Sequence, residues 1–260
     1  MKVVILCGGQ GTRIRGVSED VPKPMLTVGG RPILWHIMKH YASYGYDDFV
    51  LCLGYKGQVI KDYFLNYQHW SGDVTVRLGL EPEIKYHSPR RDEEWTVTLV
   101  DTGDNTQTGG RVSRALSHVP EDETFMLTYG DGLTNLSIDE LLESHRQSGA
   151  VLTVTGVMPP GRFGEIQCDS TGAVTGFNEK PQVSGALISG GFFVCEPGIR
   201  KYLSGDPSEV FEGSPLTRLV EDRKMAVHRH EGFWQCMDTP RDWSYLNDLF
   251  ETGRAPWVRW

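Results

Sequence analysis

Val3-Val4-Ile5-Leu6-Cys7-Gly8-Gly9-Gln10-Gly11-Thr12-Arg13 opens the chain with a β-branched apolar run that stops at three closely spaced glycines. A run of this kind reads as a buried strand of a parallel sheet, and the glycines let the chain turn tightly at its carboxyl end. Backbone N–H groups in such a turn point at whatever anion sits above it. Arg13 and the proline-bracketed Lys23 of Pro22-Lys23-Pro24 supply the positive charge that backbone dipoles lack. The loop is not a dinucleotide fingerprint. The third glycine of that pattern is here Ile14, and no acidic residue follows at the expected distance in Val28-Gly29-Gly30-Arg31-Pro32-Ile33. Nor does a G-K-[ST] triplet make it a Walker loop.

Working outward, strand-like and helix-like segments alternate. Lys2-Cys7 reads as strand, Pro32-Tyr44 as helix, Phe49-Leu53 as strand, Gln58-Tyr67 as helix and Val74-Arg77 as strand. This is the βαβ rhythm of a sheet covered on both faces. Trp95-Val100 extends it, a helix is expected near Arg111-His118, and Thr124-Thr128 is an apolar strand leaving through Tyr129-Gly130-Asp131-Gly132. Beyond residue 150 the strands are denser: Val151-Val157, Gly164-Cys168, Ala173-Phe177 and Ala186-Cys195, with helices around Ser214-Asp222 and Arg241-Phe250. The fold class expected is α/β, a Rossmann-like mixed but mainly parallel sheet flanked by helices, with a smaller β-rich part. One domain is expected over residues 1–260, built from a first half, 1–150, and a more strand-rich second half, 151–260.

Composition narrows the function classes. The net charge is −8, so no general field attracts nucleic acid or anionic lipid, and an anionic substrate must be met by a few placed cations. The opening apolar run is too short for a signal-peptide core or a membrane span, which leads to the expectation of a cytoplasmic protein. The five cysteines, Cys7, Cys52, Cys168, Cys195 and Cys236, form no C-x-x-C pair and read as small buried or half-buried thiols.

Three further patterns bear on chemistry. Asp131, in its Gly-Asp-Gly turn, and Asp238, in Trp234-Gln235-Cys236-Met237-Asp238-Thr239, are carboxylates at the ends of apolar runs. Two such groups with triphosphate oxygens and water suit Mg2+. The alternative is a turn aspartate at 131 and a helix-capping one at 238. Phe177-Asn178-Glu179-Lys180-Pro181 pairs a carboxylate suited to sugar hydroxyls with an ammonium suited to a sugar phosphate, the alternative being a surface turn. Gly161-Arg162-Phe163-Gly164 and Ser189-Gly190-Gly191-Phe192 carry glycines at strand ends, where a flat ligand or a bulge is accommodated.

Taken in order, Leu6-x-Gly-Gly-x-Gly-Thr-Arg13, Pro22-Lys-Pro24, Tyr129-Gly-Asp-Gly132, Phe163-Gly164, Glu179-Lys-Pro181 and Gly190-Gly-Phe192 resemble the motif series of the sugar-1-phosphate nucleotidylyltransferases over nearly the whole chain. Ile33-Leu-Trp-His-Ile-Met-Lys39, Gly54-Tyr-Lys-Gly57, Val97-Thr-Leu-Val-Asp-Thr-Gly103, Thr108-Gly-Gly-Arg111, Pro159-Pro-Gly-Arg-Phe-Gly164 and Gly232-Phe-Trp-Gln235 are similar to the branch that uses CTP and glucose 1-phosphate.

The resemblance implies that Leu6, Gly8, Gly9, Gly11, Thr12 and Arg13 hold the CTP phosphates, with Arg13 also stabilising departing pyrophosphate. It further implies that Lys23 bridges attacking and attacked phosphates and that Thr108, Gly109, Arg111 and Gly130 complete the nucleotide site, the loop from Asp101 to Arg111 lying over the cytosine. Asp131, catalytic with Arg13 and Lys23, would hold Mg2+ together with Asp238. Gly164, Glu179, Lys180, Ser189 and Gly190 would take the sugar phosphate, so that 1–150 would be mainly the nucleotide-binding half and 151–260 mainly the sugar-binding and metal-completing half, and the assembly would be a homohexamer. Where the family reads asparagine before Gly-Gly-Phe, this chain has Ser189, a shorter group with one hydroxyl, which bears on the hexose. A uridylyl- or thymidylyltransferase of the same fold is the first alternative, and a sugar-nucleotide-binding homologue without turnover the second.

Overall fold

The computed structural model describes residues 1–11, 14, 16–17, 20–87, 93–158, 165–178 and 187–260. The chain begins with β1 (Val3–Leu6), whose four residues are all buried. A 3₁₀ turn at Lys23–Met25 and a two-residue ribbon, β2 (Thr27–Val28) with β3 (Arg31–Pro32), then lead into α1 (Ile33–Ala42). Pro32 stands just before that helix, with fixed φ and no N–H to lose. β4 (Asp48–Leu53), α2 (Gly57–Leu65) and α3 (Tyr67–Ser71) follow, then β5 (Asp73–Arg77), β6 (Glu83–His87) and β7 (Thr96–Asp101).

Next come α4 (Thr108–Ala115), β8 (Phe125–Tyr129), β9 (Gly132–Thr134) and α5 (Ile138–Ser148). Ser137 caps α5 by accepting from the Glu140 N–H, and Gly149 at φ 61 ends it. The remaining elements are β10 (Leu152–Val157), β11 (Glu165–Cys168), β12 (Val174–Asn178), β13 (Ile188–Cys195), α6 (Ser214–Glu221), β14 (Met225–His230), β15 (Trp234–Cys236) and α7 (Pro240–Glu251).

Seven strands form the central sheet in the order β14-β10-β13-β8-β1-β4-β7. β1 runs parallel to both β4 and β8, β4 to β7, and β10 to β14, while β13 runs antiparallel to its two neighbours. The expected mixed, mainly parallel sheet is therefore observed, and strands from both halves of the chain share it. The buried residues form two apolar clusters. One joins Val3, Ile5, Ile33, Ile37, Tyr41 and Leu51; the other joins Val4, Leu6, Val50, Val112, Leu127 and Phe193. Adjacent residues of β1 thus feed opposite clusters, the period-two alternation of a strand covered on both faces.

Two expectations need correction. Val74-Arg77 is not a strand of the parallel sheet. It is half of the β5–β6 hairpin, exposed along its whole length, because its alternating polar residues leave only one face fit for burial. Cys168, read as a covered thiol, is exposed at the end of β11, on a two-strand ribbon standing apart from the sheet, whereas Cys7, Cys52 and Cys195 are buried. β2, β3, α3, β6, β9, α5, β14 and β15 have no counterpart in the sequence reading.

Candidate active site

The chain leaves β1 to one side, to β4 and then β7, and returns on the other side as β8. The carboxyl ends of β1 and β8, with Leu6 and Tyr129 in register, are therefore the point where the winding direction reverses, and open α/β sheets bind ligands there. A cavity of ≈ 510 Å³ lies at this point. Its lining comes from Leu6–Gly11 after β1, Tyr129–Asp131 after β8, 104–108 after β7, and Ile14, Lys23, Pro24, Arg111 and Asp238.

A second device brings Asp238 to Asp131, 107 positions away in the chain. Immediately after the Asp131 turn, β9 pairs antiparallel with β15, Gly132 opposite Cys236, and the Met237 N–H donates to the Asp131 carbonyl at 2.8 Å. This ribbon ends with both carboxylates on Lys23. The Lys23 ammonium bonds Asp131 Oδ2 and donates to Asp238 Oδ1 at 2.5 Å, with side-chain exposures of 12%, 28% and 17% for Lys23, Asp131 and Asp238. Burial alone would lower the lysine pKa, but the charge and hydrogen bond of Asp131, with those of Asp238, hold it above the ordinary value.

The capping alternative for Asp238 does not hold. Thr239 caps α7, accepting from the Asp242 N–H while Asp242 reaches back to Thr239. That box leaves the Asp238 carboxylate directed into the cavity. Two thiols flank the group. Burial raises Cys7 far above its usual range, with Cys52 and Asp131 adding to it, and raises Cys236 to about 12, reinforced by Asp238 and Asp131. Both are neutral and unreactive at physiological pH.

The glycine loop is shaped by the residues under it. Gly11 has φ +57, a conformation natural to glycine, and a Cβ there would lie 3.1 Å from Lys23 Cβ. A Cβ at Gly8 would overlap the Arg111 guanidinium. Gly9 has open space around it on the exposed rim of the cavity.

Arg111 takes a different place from a cation free to meet nucleotide. It is 4% exposed, and its terminal nitrogens donate to Leu53 O (3.0 Å), Thr102 Oγ1 (2.7 Å), Gly103 O (2.8 Å), Gly8 O (3.0 Å) and Asp104 O (3.2 Å). The guanidinium ties the phosphate loop to the loop after β7. Burial lowers its pKa, Cys52 and Asp104 opposing. Gly109 does not line the cavity. Its N–H and that of Gly110 both donate to the Glu209 carbonyl, so the amino end of α4 is already capped by protein. Thr108 does line the cavity.

Glu212 was missed by sequence reading. It accepts from the Tyr129 hydroxyl on one oxygen and from Thr108 Oγ1 at 2.7 Å on the other, joining two cavity walls. Burial and this carboxylate keep the Tyr129 phenol protonated. Nothing in the turn-rich Asp206-Pro-Ser-Glu-Val-Phe-Glu-Gly213 marks Glu212 out beforehand.

Of the residues expected to take the sugar phosphate, Ser189 is exposed on β13 and sits opposite Gly156, while Gly190 is buried with its carbonyl bonded by Trp234 Nε1 at 2.8 Å. At Gly191, φ +80 and the Tyr129 ring leave no room for a side chain. β13 is thereby fixed against β8, the strand that leads into the Asp131 turn, although neither Ser189 nor Gly190 lines the cavity itself. Thr12, Arg13, Gly164, Glu179 and Lys180 lie outside the described residues. Among the described residues no cluster of three or more His, Cys, Asp or Glu side chains is assembled for a metal, and no helix is long and apolar enough to cross a membrane.

The family model described as nucleotidyl transferase matches residues 2–247. Over 260 residues, covering both chains from end to end, the sequence is 46% identical to proteins named glucose-1-phosphate cytidylyltransferase from Salmonella typhi and Salmonella typhimurium. Among solved structures, HddC from Yersinia pseudotuberculosis shares the fold with a TM-score of 0.69 at 22% identity, over 96% of this chain and 99% of that one.

Proposed function

Because the chain belongs to the nucleotidyl transferase family, we propose that it transfers CMP from CTP to α-D-glucose 1-phosphate, giving CDP-glucose and pyrophosphate. The named relatives, similar over their full length, support the substrates. The observation that carries the chemistry is the convergence of Lys23, Asp131 and Asp238 beside the Gly8–Gly11 loop at the switch point.

A phosphate oxygen of the sugar phosphate attacks the α-phosphorus in line with the leaving pyrophosphate. The nucleophile is already an anion, so no base and no covalent intermediate are required. What the protein contributes is placement of two repelling phosphates and neutralisation of their charge. The loop N–H groups after β1 cradle the triphosphate, and the Lys23 ammonium lies within the same cavity to meet it. Arg13 and Thr12 on the nucleotide, and Gly164, Glu179, Lys180, Ser189 and Gly190 on the sugar phosphate, keep the roles that the motif resemblance gives them.

The two carboxylates fit Mg2+: they already share one cation position, and two carboxylate oxygens with phosphate and water are the donor set this ion prefers. Bound by Asp131 and Asp238, Mg2+ would supply charge neutralisation at the phosphates. The working form proposed is a cytoplasmic homo-oligomer, a hexamer by resemblance. CTP, UTP, dTTP and GTP offered in turn with glucose 1-phosphate, read by pyrophosphate release and product mass, test the reading. CTP should be preferred by at least about tenfold in kcat/KM, and equal use of UTP or dTTP would replace the cytidylyl assignment.

A further inference from the structure

Two aspartates that share a site cannot both stay ionised beside one another in partly buried surroundings unless a cation stands between them. Here that cation is part of the chain. Lys23 Nζ is bonded to Asp131 Oδ2 and Asp238 Oδ1 together, the two oxygens that the proposed metal would use. We propose that Lys23 is the resident cation of the two-aspartate site in the nucleotide-free enzyme, so that divalent metal enters only with the nucleotide, whose phosphates draw the ammonium away. This rests on the metal reading above and adds to it an order of binding.

The ammonium already occupies these two oxygens. A metal ligated by the same pair would lie against it, a contact between like charges that favours one cation or the other at the site. Metal alone must therefore break two charge-assisted bonds and leave the ammonium without an anion. Among the described residues, the other cation lining the cavity cannot take over the carboxylates, since the Arg111 guanidinium is committed to Gly8, Leu53, Thr102, Gly103 and Asp104. A triphosphate changes this balance. It offers oxygens to the ammonium and brings the metal that replaces it.

The inner part of Lys23 is well placed to act as a fixed pivot. Its backbone lies in the 3₁₀ turn between Pro22 and Pro24, and its Cβ lies close under Gly11, while the outer stem is a flexible chain that can swing from carboxylate to phosphate. Metal and nucleotide should then raise each other's affinity, by the same factor in either direction.

The test is Mn2+ binding to the full chain, followed by the loss of the free Mn2+ paramagnetic resonance signal. Without nucleotide, wild type should bind Mn2+ at least about tenfold more weakly than Lys23→Met, and Lys23→Arg, which keeps a cation between the carboxylates, should stay as weak as wild type. If the facing carboxylates unsettle Lys23→Met, Mn2+ should raise its melting midpoint while leaving that of wild type unmoved. Wild type and Lys23→Met binding Mn2+ equally, or a folded Lys23→Met whose midpoint ignores Mn2+, would overturn the resident-cation role. Mn2+ titrated with CTP onto wild type separates the two readings: failure to bind there removes the two-aspartate metal site itself.

Discussion

Replacing Arg111 with methionine keeps the stem and removes the guanidinium, and the structure says which acceptors suffer. Leu53 O retains the Thr102 N–H at 2.9 Å, and Thr102 is held there by its own hydroxyl bond. Gly8 O keeps only a long bond from the Tyr55 N–H at 3.4 Å, and the cited Arg111 bonds to Gly103 O and Asp104 O vanish. Each orphaned buried acceptor costs about 1–3 kcal/mol, but Asp104 is exposed and Gly103 half-exposed, so water recovers part of that, and losing a buried charge recovers more. The net expected loss is about 2–4 kcal/mol of stability. Because the affected carbonyls are on the two walls of the cavity, KM for CTP should rise about tenfold or more. Urea unfolding and pyrophosphate release at varied CTP measure both. Lys in place of Arg separates the clamp from a direct nucleotide contact: one ammonium restores a phosphate contact but cannot span five acceptors. Arg111→Met within 0.5 kcal/mol of wild type with an unchanged KM, taking ~0.5 kcal/mol as the noise of surface substitutions, would refute the clamp.

His36 and His40 on α1 are driven from 6.5 to about 4, by burial first, with Arg31 and Arg259 adding to the effect. Their folded values lie below the unfolded one, so stability is full above about pH 6.5 and falls as the pH drops toward 4, by about 2 kcal/mol per histidine between pH 7 and 5. Urea midpoints measured across that range check this, and a flat profile contradicts it. Gly191→Ala should lose at least ~1–2 kcal/mol from its φ of +80 alone. It should also lower kcat by displacing the Tyr129 ring two residues from Asp131, and thermal melts with initial rates would show both effects. Glu212→Ala frees the Tyr129 and Thr108 hydroxyls and should raise KM for CTP roughly fivefold, the worth of ~1 kcal/mol, with the melting temperature nearly kept; an unchanged KM would leave Glu212 without a part in the site.

The strands of the sheet core were legible because β1, β4 and β8 carry consecutive apolar residues, as burial on both faces demands, and β10 alternates its apolar residues with β-branched threonines: all four fall within a residue or two of where their patterns place them. β14 was not. His228 and His230 interrupt Met225-Ala-Val-His-Arg-His230, an edge strand with one neighbour and little need for apolarity. The four-residue run Val74-Arg77 looked like a sheet strand because alternation marks a half-covered strand without saying which sheet it joins. At the site, the glycine loop, Lys23 and Asp131 were visible as motifs, since each needs a particular residue type beside a strand end. Arg111 was visible as a residue lining the site, but its bonds to five acceptors on the cavity walls were not, because no motif marks the acceptors of a buried arginine along the chain.

Asp238 shows how the missing part is supplied. Considered locally, an aspartate before Thr239-Pro240 is a helix cap, and only the short β9–β15 pairing turns it into half of a cation site. That pairing follows from what surrounds it. Leu133 and Met237 are buried in the cluster that also holds Ile33 and Leu136, so the ribbon has an apolar face that must lie on the sheet, and Trp234 Nε1 fixes its other end to Gly190. The same indole lies near Gly132, next to Asp131. One tryptophan therefore connects the strand bearing Ser189 and Gly190 with the turn bearing a carboxylate of the cation pair. A change that moved β13 would be felt at Asp131 through Trp234 and the Gly191–Tyr129 contact, without any ligand bridging them.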